Sequence, residues 1–215
     1  MKVLLLFLLL TNSVSYANES KDKLVVADFS SESLEGWQSK SFKGQTSYQI
    51  IDLAGKKVLK AESVNSASGL YKEQRVDLRQ TPFLNWEWRV ENRLSDLNEQ
   101  EKSGDDYAAR VYVIVRGGLA FWRTRAINYV WASSSSKGKI WPNAYAGDHA
   151  MMIALRSEND STGIWVQEKR NVFADLKQQF GEDIDHIDAV AIMTDTDNSN
   201  GSATAYYGNI FFSSH

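Results

Sequence analysis

Short segments rich in β-branched and aromatic residues recur along this chain, and they constrain its fold more than any other feature. Polar stretches containing Gly, Ser, Asn and Asp separate these segments at close spacing. This pattern is typical of an antiparallel β-sandwich or barrel. The predicted strands are residues 24–29, 47–52, 57–62, 69–74, 83–90, 108–115, 125–132, 149–155, 162–168, 187–194 and 204–212.

A few segments depart from the strand pattern. Phe173, Leu176 and Phe180 recur at helical spacing, Asn171 stands before them as an N-cap, and Gly181 follows. We therefore predict one short helix, which packs across an end of the sandwich. Residues 93–102 are polar with almost no apolar face, so we predict an exposed loop or a frayed helical turn there. The serine run 133–136 predicts a further loop.

The N-terminal segment, residues 1–17, has the parts of a secretory signal peptide. Lys2 supplies a positive charge, residues 3–10 are uniformly apolar, and Ser15-Tyr16-Ala17 places small residues before a cleavage point. We predict cleavage near Ala17, a single domain over residues 18–215, and a periplasmic or secreted location. The apolar run is about half the roughly 20 residues that a membrane-spanning helix needs, so no transmembrane segment is predicted.

Composition excludes several classes of function. The chain has no cysteine, so it has no disulfide, no thiolate metal site and no cysteine nucleophile. Its formal net charge is -3, which leaves no basic surface to neutralise a phosphate backbone. We therefore do not expect nucleic acid as a partner, and the sequence does not identify a protein partner.

Arg110 is the most unusual residue of the predicted strands. Ala109, Val111, Val113 and Val115 alternate along one face and predict a core-facing surface, while Arg110 and Tyr112 share the other. The planar guanidinium suits bidentate binding of a polar ligand, with Tyr112 stacking against it. The alternative is a structural salt bridge to the preceding pair, Asp105 and Asp106.

Other strands offer polar side chains for the same surface. Trp86 and Trp88 share a face, which favours core packing over stacking on sugar rings, and Glu87 and Arg89 share the opposite face. If the polar faces line one concave sheet, the ligand-binding residues would converge there. They are Glu87, Arg89, Arg110, Tyr112, Asn128, Glu168 and Arg170.

Carboxylates on these segments also allow a catalytic hypothesis. Glu87 and Glu168, or the pair Asp105 and Asp106, could supply the acid and base or nucleophile of a glycoside hydrolase. Arg89 and Arg170 stand close to the two glutamates in sequence. Ion pairing of the glutamates with arginines is therefore the simpler hypothesis.

Residues 195–201 resemble a calcium loop because oxygen-bearing side chains alternate before a glycine. Asp195 and Asp197 would be the ligands. The glycine of this segment comes one position later than in an EF-hand loop, and the final glutamate of such a loop is absent. These differences favour a plain polar turn. The three histidines lie far apart in the sequence, which argues against zinc.

Several motifs, taken in order, resemble the bacterial family called domain of unknown function 3047. They are Trp86-Glu87-Trp88, residues 105–112, Asn128-Tyr129-Val130-Trp131, residues 168–172 and residues 189–197. The resemblance covers nearly all of the chain after the N-terminal segment. Because that family has no assigned activity, it supplies no catalytic residues.

A second resemblance is to galactose-binding-like carbohydrate-binding modules, whose fold is a jelly roll. Residues 26–29 and 34–37 look like their opening, and residues 206–212 look like their closing strand. The resemblance implies that the first and last strands pair and that a structural calcium lies near Asp28 and Asn209.

We therefore predict an all-β, two-sheet antiparallel sandwich of jelly-roll, galactose-binding-like type with one short helix. The leading functional hypothesis is noncatalytic binding of a saccharide or other polar cell-envelope ligand, oriented by Arg110, Glu87 and Arg89. A polysaccharide hydrolase or lyase is one alternative. A structural envelope protein, whose polar strand residues would all pair with one another, is the other.

Overall fold

The computed structural model describes residues 22–120 and 123–215, and it consists mainly of β-strands. The predicted signal peptide lies outside the described residues. No helix in the described ranges is long and apolar enough to cross a membrane.

The strands are β1 (Lys23–Ala27), β2 (Trp37–Lys43), β3 (Ser47–Leu53), β4 (Lys56–Val64), β5 (Ala67–Asp77), β6 (Phe83–Val90), β7 (Ala109–Val115), β8 (Arg125–Trp131), β9 (Ile140–Asn143), β10 (Gly147–Arg156), β11 (Val166–Asn171), β12 (His186–Asp195), β13 (Ser202–Tyr207) and β14 (Ile210–Ser213), and the helix α1 spans Val172–Phe180.

The strands form two sheets that face each other across one core. The first, here named the cleft sheet, has the order β2-β5-β12-β7-β8-β10-β9. The second, the back sheet, contains β1, β3, β4, β6, β11, β13 and β14. The predicted two-sheet sandwich with one helix is confirmed, with one exception to its antiparallel pairing, because β8 and β10 run parallel.

The back sheet is organised around β6. On one side β6 pairs with β11, and on the other it pairs with β13 and β14 in turn. The segment predicted as one strand over 204–212 is therefore two strands, interrupted at Gly208 and Asn209. The N–H of Gly208 donates to the carbonyl of Glu87, and a Cβ at this position would lie 2.4 Å from Cγ of Glu87. β1 pairs with β14, as the resemblance to carbohydrate-binding modules implied.

Alternation along the strands builds the core between the sheets. Val111 and Val113 of β7 are fully buried, as predicted. Trp86 and Trp88 of β6 are also buried, and their rings contact Tyr129 and Trp131 of β8 at centroid distances of 5.4 Å and 5.9 Å. The tryptophan pair is therefore core and does not form a sugar-stacking surface.

The helix follows the cap residues that the sequence indicated. The Asn171 side chain accepts a hydrogen bond from the N–H of Ala174 at 3.0 Å, and Gly181 ends the helix in the left-handed conformation at a φ of 69°. Val172 and Leu176 are buried in the core, beside β6 and β11. The predicted helix is confirmed.

Sequence patterns missed the edge strands of the cleft sheet. β2 is almost entirely exposed beyond Trp37, so it has no apolar alternation, and β9 has only four residues, one of them Pro142. β11 begins at Val166, four residues after the predicted start at residue 162. The loop over residues 93–102 is largely exposed, except that Leu94 and Glu99 are buried.

Candidate functional site

A cleft of about 510 Å³ lies on the outer face of the cleft sheet. β7, β8, β10 and β12 contribute side chains to it, and the loops after β9 and β12 flank it. Its described lining residues are Phe42, Ala67, Asp105, Arg110, Tyr112, Ala126, Asn128, Asn143, Tyr145, Ala146, Ala150, Met193, Asp195, Asp197 and Asn198. Three sequence-predicted ligand residues, Arg110, Tyr112 and Asn128, are therefore brought together.

Strand alternation places these three residues in the cleft. Because Val111 and Val113 point into the core, Arg110 and Tyr112 point to the opposite face, and Asn128 faces Tyr112 in the register of β7 and β8. Asn128 is only 5% exposed, and its side-chain amide, which makes no hydrogen bond to a described residue, keeps some contact with solvent in the cleft. This amide is a hydrogen-bonding group that lines the cleft.

Small side chains form the part of the cleft next to Asn128. Ala126 precedes it on β8, and Ala150 of β10 pairs with Ala126 in the parallel register. Both alanines line the cleft. Space for a ligand therefore exists because no larger side chain fills the sheet surface at these two positions.

The floor of the cleft contains a buried ion pair. Arg110 donates to Oδ2 of Asp195, and both side chains are less than a tenth exposed. The structural alternative for Arg110 named Asp105 or Asp106 as its partner, but the partner is Asp195 at the end of β12. The guanidinium also lies over the ring of Tyr107, with its carbon 4.6 Å from the ring centroid.

Burial changes the protonation behaviour of these groups. Burial raises the pKa of Asp195 to about 7, although the charge of Arg110 opposes this shift. Burial likewise raises the pKa of Asp105, whose two oxygens accept from the side-chain amide of Asn143 at 3.0 Å and 3.1 Å. The cleft floor thus combines acidic groups with one cation in a poorly hydrated environment.

Asp106 lies behind the floor and holds the loop that follows β12. It is fully buried, and its two oxygens accept from the N–H groups of Asn198 and Ser199 at 3.1 Å and 2.6 Å. Each of three aspartates, Asp106, Asp195 and Asp197, has one carboxylate oxygen that lies within 4.8 Å of those of the other two. The predicted calcium residues Asp195 and Asp197 are therefore joined by Asp106, for which the sequence suggests either a salt bridge to Arg110 or a catalytic role.

Two exposed aromatic rings flank the cleft. Phe42 of β2 is 65% exposed, and Tyr145 of the turn after β9 is 58% exposed. The hydroxyl of Tyr145 accepts from the side-chain amide of Asn198 at 3.0 Å and donates to the carbonyl of Lys102 at 3.3 Å. These bonds fix the position of the Tyr145 ring on the rim.

The other predicted ligand residues do not reach the cleft, because β6 and β11 belong to the back sheet. Glu87 and Arg89 lie on the outer face of that sheet, where they pair with Lys56 and Glu91. The predicted convergence of the polar strand faces is therefore wrong for these residues.

Glu168 and Arg170 of β11 have structural partners elsewhere. Glu168 accepts from Nε1 of Trp88 at 3.1 Å and from Nε of Arg156 at 2.6 Å. Arg170 donates from Nε to Asp175 of α1 at 3.0 Å. Glu87 and Glu168 point to opposite faces of the back sheet, so they do not form a carboxylate pair in one cleft, and ion pairing is their observed role.

Asp28 and Asn209 lie together where β1 meets β14. The Asp28 side chain accepts from the N–H of Ser30 at 3.0 Å, and the Asn209 side chain accepts from the N–H of Phe29 at 3.0 Å. These two bonds cap and anchor the short 3-10 helix Phe29–Ser31. This position is separate from the acidic groups of the cleft.

Comparison with known proteins places the chain in a family. Residues 35–211 match the model of a family described as "Protein of unknown function (DUF3047)". The chain belongs to the DUF3047 family. This confirms the family resemblance inferred from the motifs. Comparison of this DUF3047 protein with curated proteins gives no match.

Solved structures share the fold at low sequence identity. The family 11 carbohydrate-binding module of a cellulosomal cellulase of Clostridium thermocellum is 13% identical, with a TM-score of 0.51, covering 90% of this chain and 95% of that one. The xyloglucanase domain of NopAA from Sinorhizobium fredii is 12% identical, with a TM-score of 0.46, covering 85% and 96%. A cellulase derived from Cel12A of Rhodothermus marinus is 8% identical, with a TM-score of 0.45, covering 88% and 98%. The first similarity supports the β-sandwich assignment.

Proposed function

We propose that this DUF3047 protein is a noncatalytic saccharide-binding protein that works outside the cytoplasm and holds its ligand in the cleft. The observation that carries the proposal is the combination of two exposed aromatic rings with a free amide between them. Phe42 and Tyr145 flank the cleft, and Asn128 lies in its floor. The location rests on the predicted signal peptide.

Exposed aromatic rings suit the chemistry of sugars. A pyranose ring presents apolar C–H groups on its faces, and these pack on an aromatic side chain while the hydroxyls stay at the edge. Isolated large apolar side chains on a surface need no explanation, but the position of two aromatic rings beside one cleft supports a binding role. The bonds that hold the Tyr145 hydroxyl reduce the entropy lost when a ligand stacks on it.

Polar groups in the floor would orient the ligand. The Asn128 amide offers a donor and an acceptor, and both suit sugar hydroxyls. A cleft with apolar walls and few fixed polar groups is the usual form of a small-molecule site. The free amide also argues against the purely structural alternative, which requires that the polar strand residues pair with one another.

Two observations favour binding over catalysis. Glu87 and Glu168 are ion-paired outside the cleft. Within the cleft, Asp105 is held by Asn143 and Asp195 by Arg110. The family 11 module of Clostridium thermocellum, which shares the fold, is named as carbohydrate-binding.

Affinity electrophoresis and calorimetry test the proposal. The purified full-length chain is titrated with neutral glucans, xylans, galactans and envelope polysaccharides, and each binder is assayed for released reducing ends. We expect saturable binding without product. Tyr145→Ala should weaken binding by about tenfold or more, because it removes the stacking surface.

Tyr206→Ala is the matched control, because this tyrosine lies on β13 of the back sheet. It should leave the affinity unchanged. Release of product would favour the hydrolase alternative, and absence of binding across the panel would contradict the proposal. Equal losses in Tyr145→Ala and Tyr206→Ala would place the ligand elsewhere.

A further inference from the structure

Three aspartates beside the cleft, Asp106, Asp195 and Asp197, have the arrangement of cation ligands. We propose that they bind a calcium ion. One oxygen from each lies within 4.8 Å of the other two. Oxygens on opposite sides of a calcium ion are about 4.6 to 5.2 Å apart, so all three can reach one ion.

A second observation points to a ligand at this position. Oδ1 of Asp195 is buried and makes no hydrogen bond with any residue in the described ranges, and Asp195 is 2% exposed. Arg110 occupies the other oxygen, Oδ2. Buried polar atoms almost always have a partner, so a carboxylate oxygen without a donor calls for a cation.

The charge balance supports the same conclusion. Asp105 and Asp106 lie close enough to repel each other's negative charge, and both lie close enough to repel that of Asp195; with Asp197, four carboxylates share this region. Within the described ranges, Arg110 is the one buried cation bonded to them. Lys43 lies at the exposed rim, where its ammonium donates to the backbone carbonyl of Asp197 at 2.9 Å. A divalent ion would neutralise most of the remaining negative charge.

The surrounding chain holds the ligands ready. The N–H groups of Asn198 and Ser199 fix both oxygens of Asp106, which leaves each oxygen a second lone pair for a metal. Asp197 is half-buried and lines the cleft, so an ion can enter from solvent there. The ligands are all oxygen atoms, which suits a hard cation rather than zinc or copper.

Calorimetry on the purified full-length chain, freed of metal with EDTA, tests the site. We expect saturable binding of one calcium ion per chain and at least tenfold weaker binding of magnesium. Calcium should also raise the midpoint of thermal unfolding. Asp197→Asn should weaken calcium binding at least tenfold, because it removes one negative charge from a partly exposed ligand.

Asp183→Asn is the matched control, because Asp183 is an exposed aspartate in the loop after α1, where it pairs with Lys177. It should bind calcium like the unaltered chain. If Asp197→Asn fails to fold, as judged by its unfolding transition in EDTA, Asp197→Ser replaces it with the same expectation.

The proposal is overturned if millimolar calcium gives neither heat nor a shift in the unfolding midpoint. It is also overturned if the Asp197→Asn protein binds calcium as tightly as the control. The titration contains no saccharide, so the cation site and the proposed saccharide binding succeed or fail separately.

Discussion

Replacing Glu99 by alanine should destabilise this protein more than its position in a polar loop suggests. Glu99 lies between β6 and β7 and is 1% exposed. Its carboxylate accepts from the N–H groups of Ser133 and Ser135, the latter at 2.9 Å, and from the Ser133 hydroxyl at 3.1 Å. It therefore joins two loops that have no strand pairing with each other.

The size of the effect follows from the two buried N–H groups. Ser133 and Ser135 are 7% and 4% exposed, so their donors would lose their partner without full access to water. Each buried donor left unsatisfied costs about 1 to 3 kcal/mol. Water entering the vacated space recovers part of this, so we expect the free energy of unfolding to fall by about 3 kcal/mol.

Glu99→Gln separates hydrogen bonding from packing. The amide keeps the shape of the side chain and one acceptor oxygen, so it can serve one of the two N–H groups. We expect a loss of about 1 to 2 kcal/mol for this variant.

Urea unfolding of the variants measures these losses. The slope of the free energy of unfolding against urea concentration should be the same for all variants, which shows that their unfolded states are comparable. Glu101→Ala is the control, because this glutamate is exposed two residues further along, and it should stay within about 0.5 kcal/mol of the unaltered chain. In thermal melts, Glu99→Ala should lower the midpoint by about 6 to 12 °C. Equal stabilities for the Glu99→Ala and Glu101→Ala proteins would refute the reasoning.

Two further changes test the helix and the cleft. Asn171→Ala removes the N-cap of α1 and should lower the free energy of unfolding by about 1 kcal/mol in urea; an unchanged stability would contradict the capping role. Ala126→Leu should fill the cleft and weaken saccharide binding about tenfold or more in calorimetry, with unfolding within about 0.5 kcal/mol of the unaltered chain. Ala174→Leu, on the exposed side of α1, is its control and should bind normally. Normal binding by the Ala126→Leu protein would place the ligand outside the cleft.

Much of the fold and part of the cleft follow from alternation along single strands. The buried positions of Val111 and Val113 assign Arg110 and Tyr112 to the opposite face without knowledge of any other strand. The helix was likewise predictable, because Asn171 and Gly181 mark its ends by local chemistry.

Alternation does not show which sheet a strand joins, and this limited the prediction of the site. Glu87 and Arg89 have the pattern expected of ligand-facing residues, but β6 lies in the back sheet. The bond between Arg110 and Asp195 joins residues 85 positions apart, so no local pattern could indicate it.

The aromatic residues of the rim were missed for a related reason. Phe42 lies on the polar edge strand β2, and Tyr145 lies in a turn beside the very short strand β9. Neither element has the apolar periodicity from which strands are predicted. Only the packing of the sheets brings the two rings to one cleft.

The short strand β9 also limits how these molecules can associate. It forms one edge of the cleft sheet, and its exposed Pro142 has no N–H to offer to another chain. A four-residue edge interrupted by proline is a poor template for an added strand, which is how many β-proteins avoid aggregation. A crowded compartment would therefore not drive these sheets to extend from one molecule into the next along this edge.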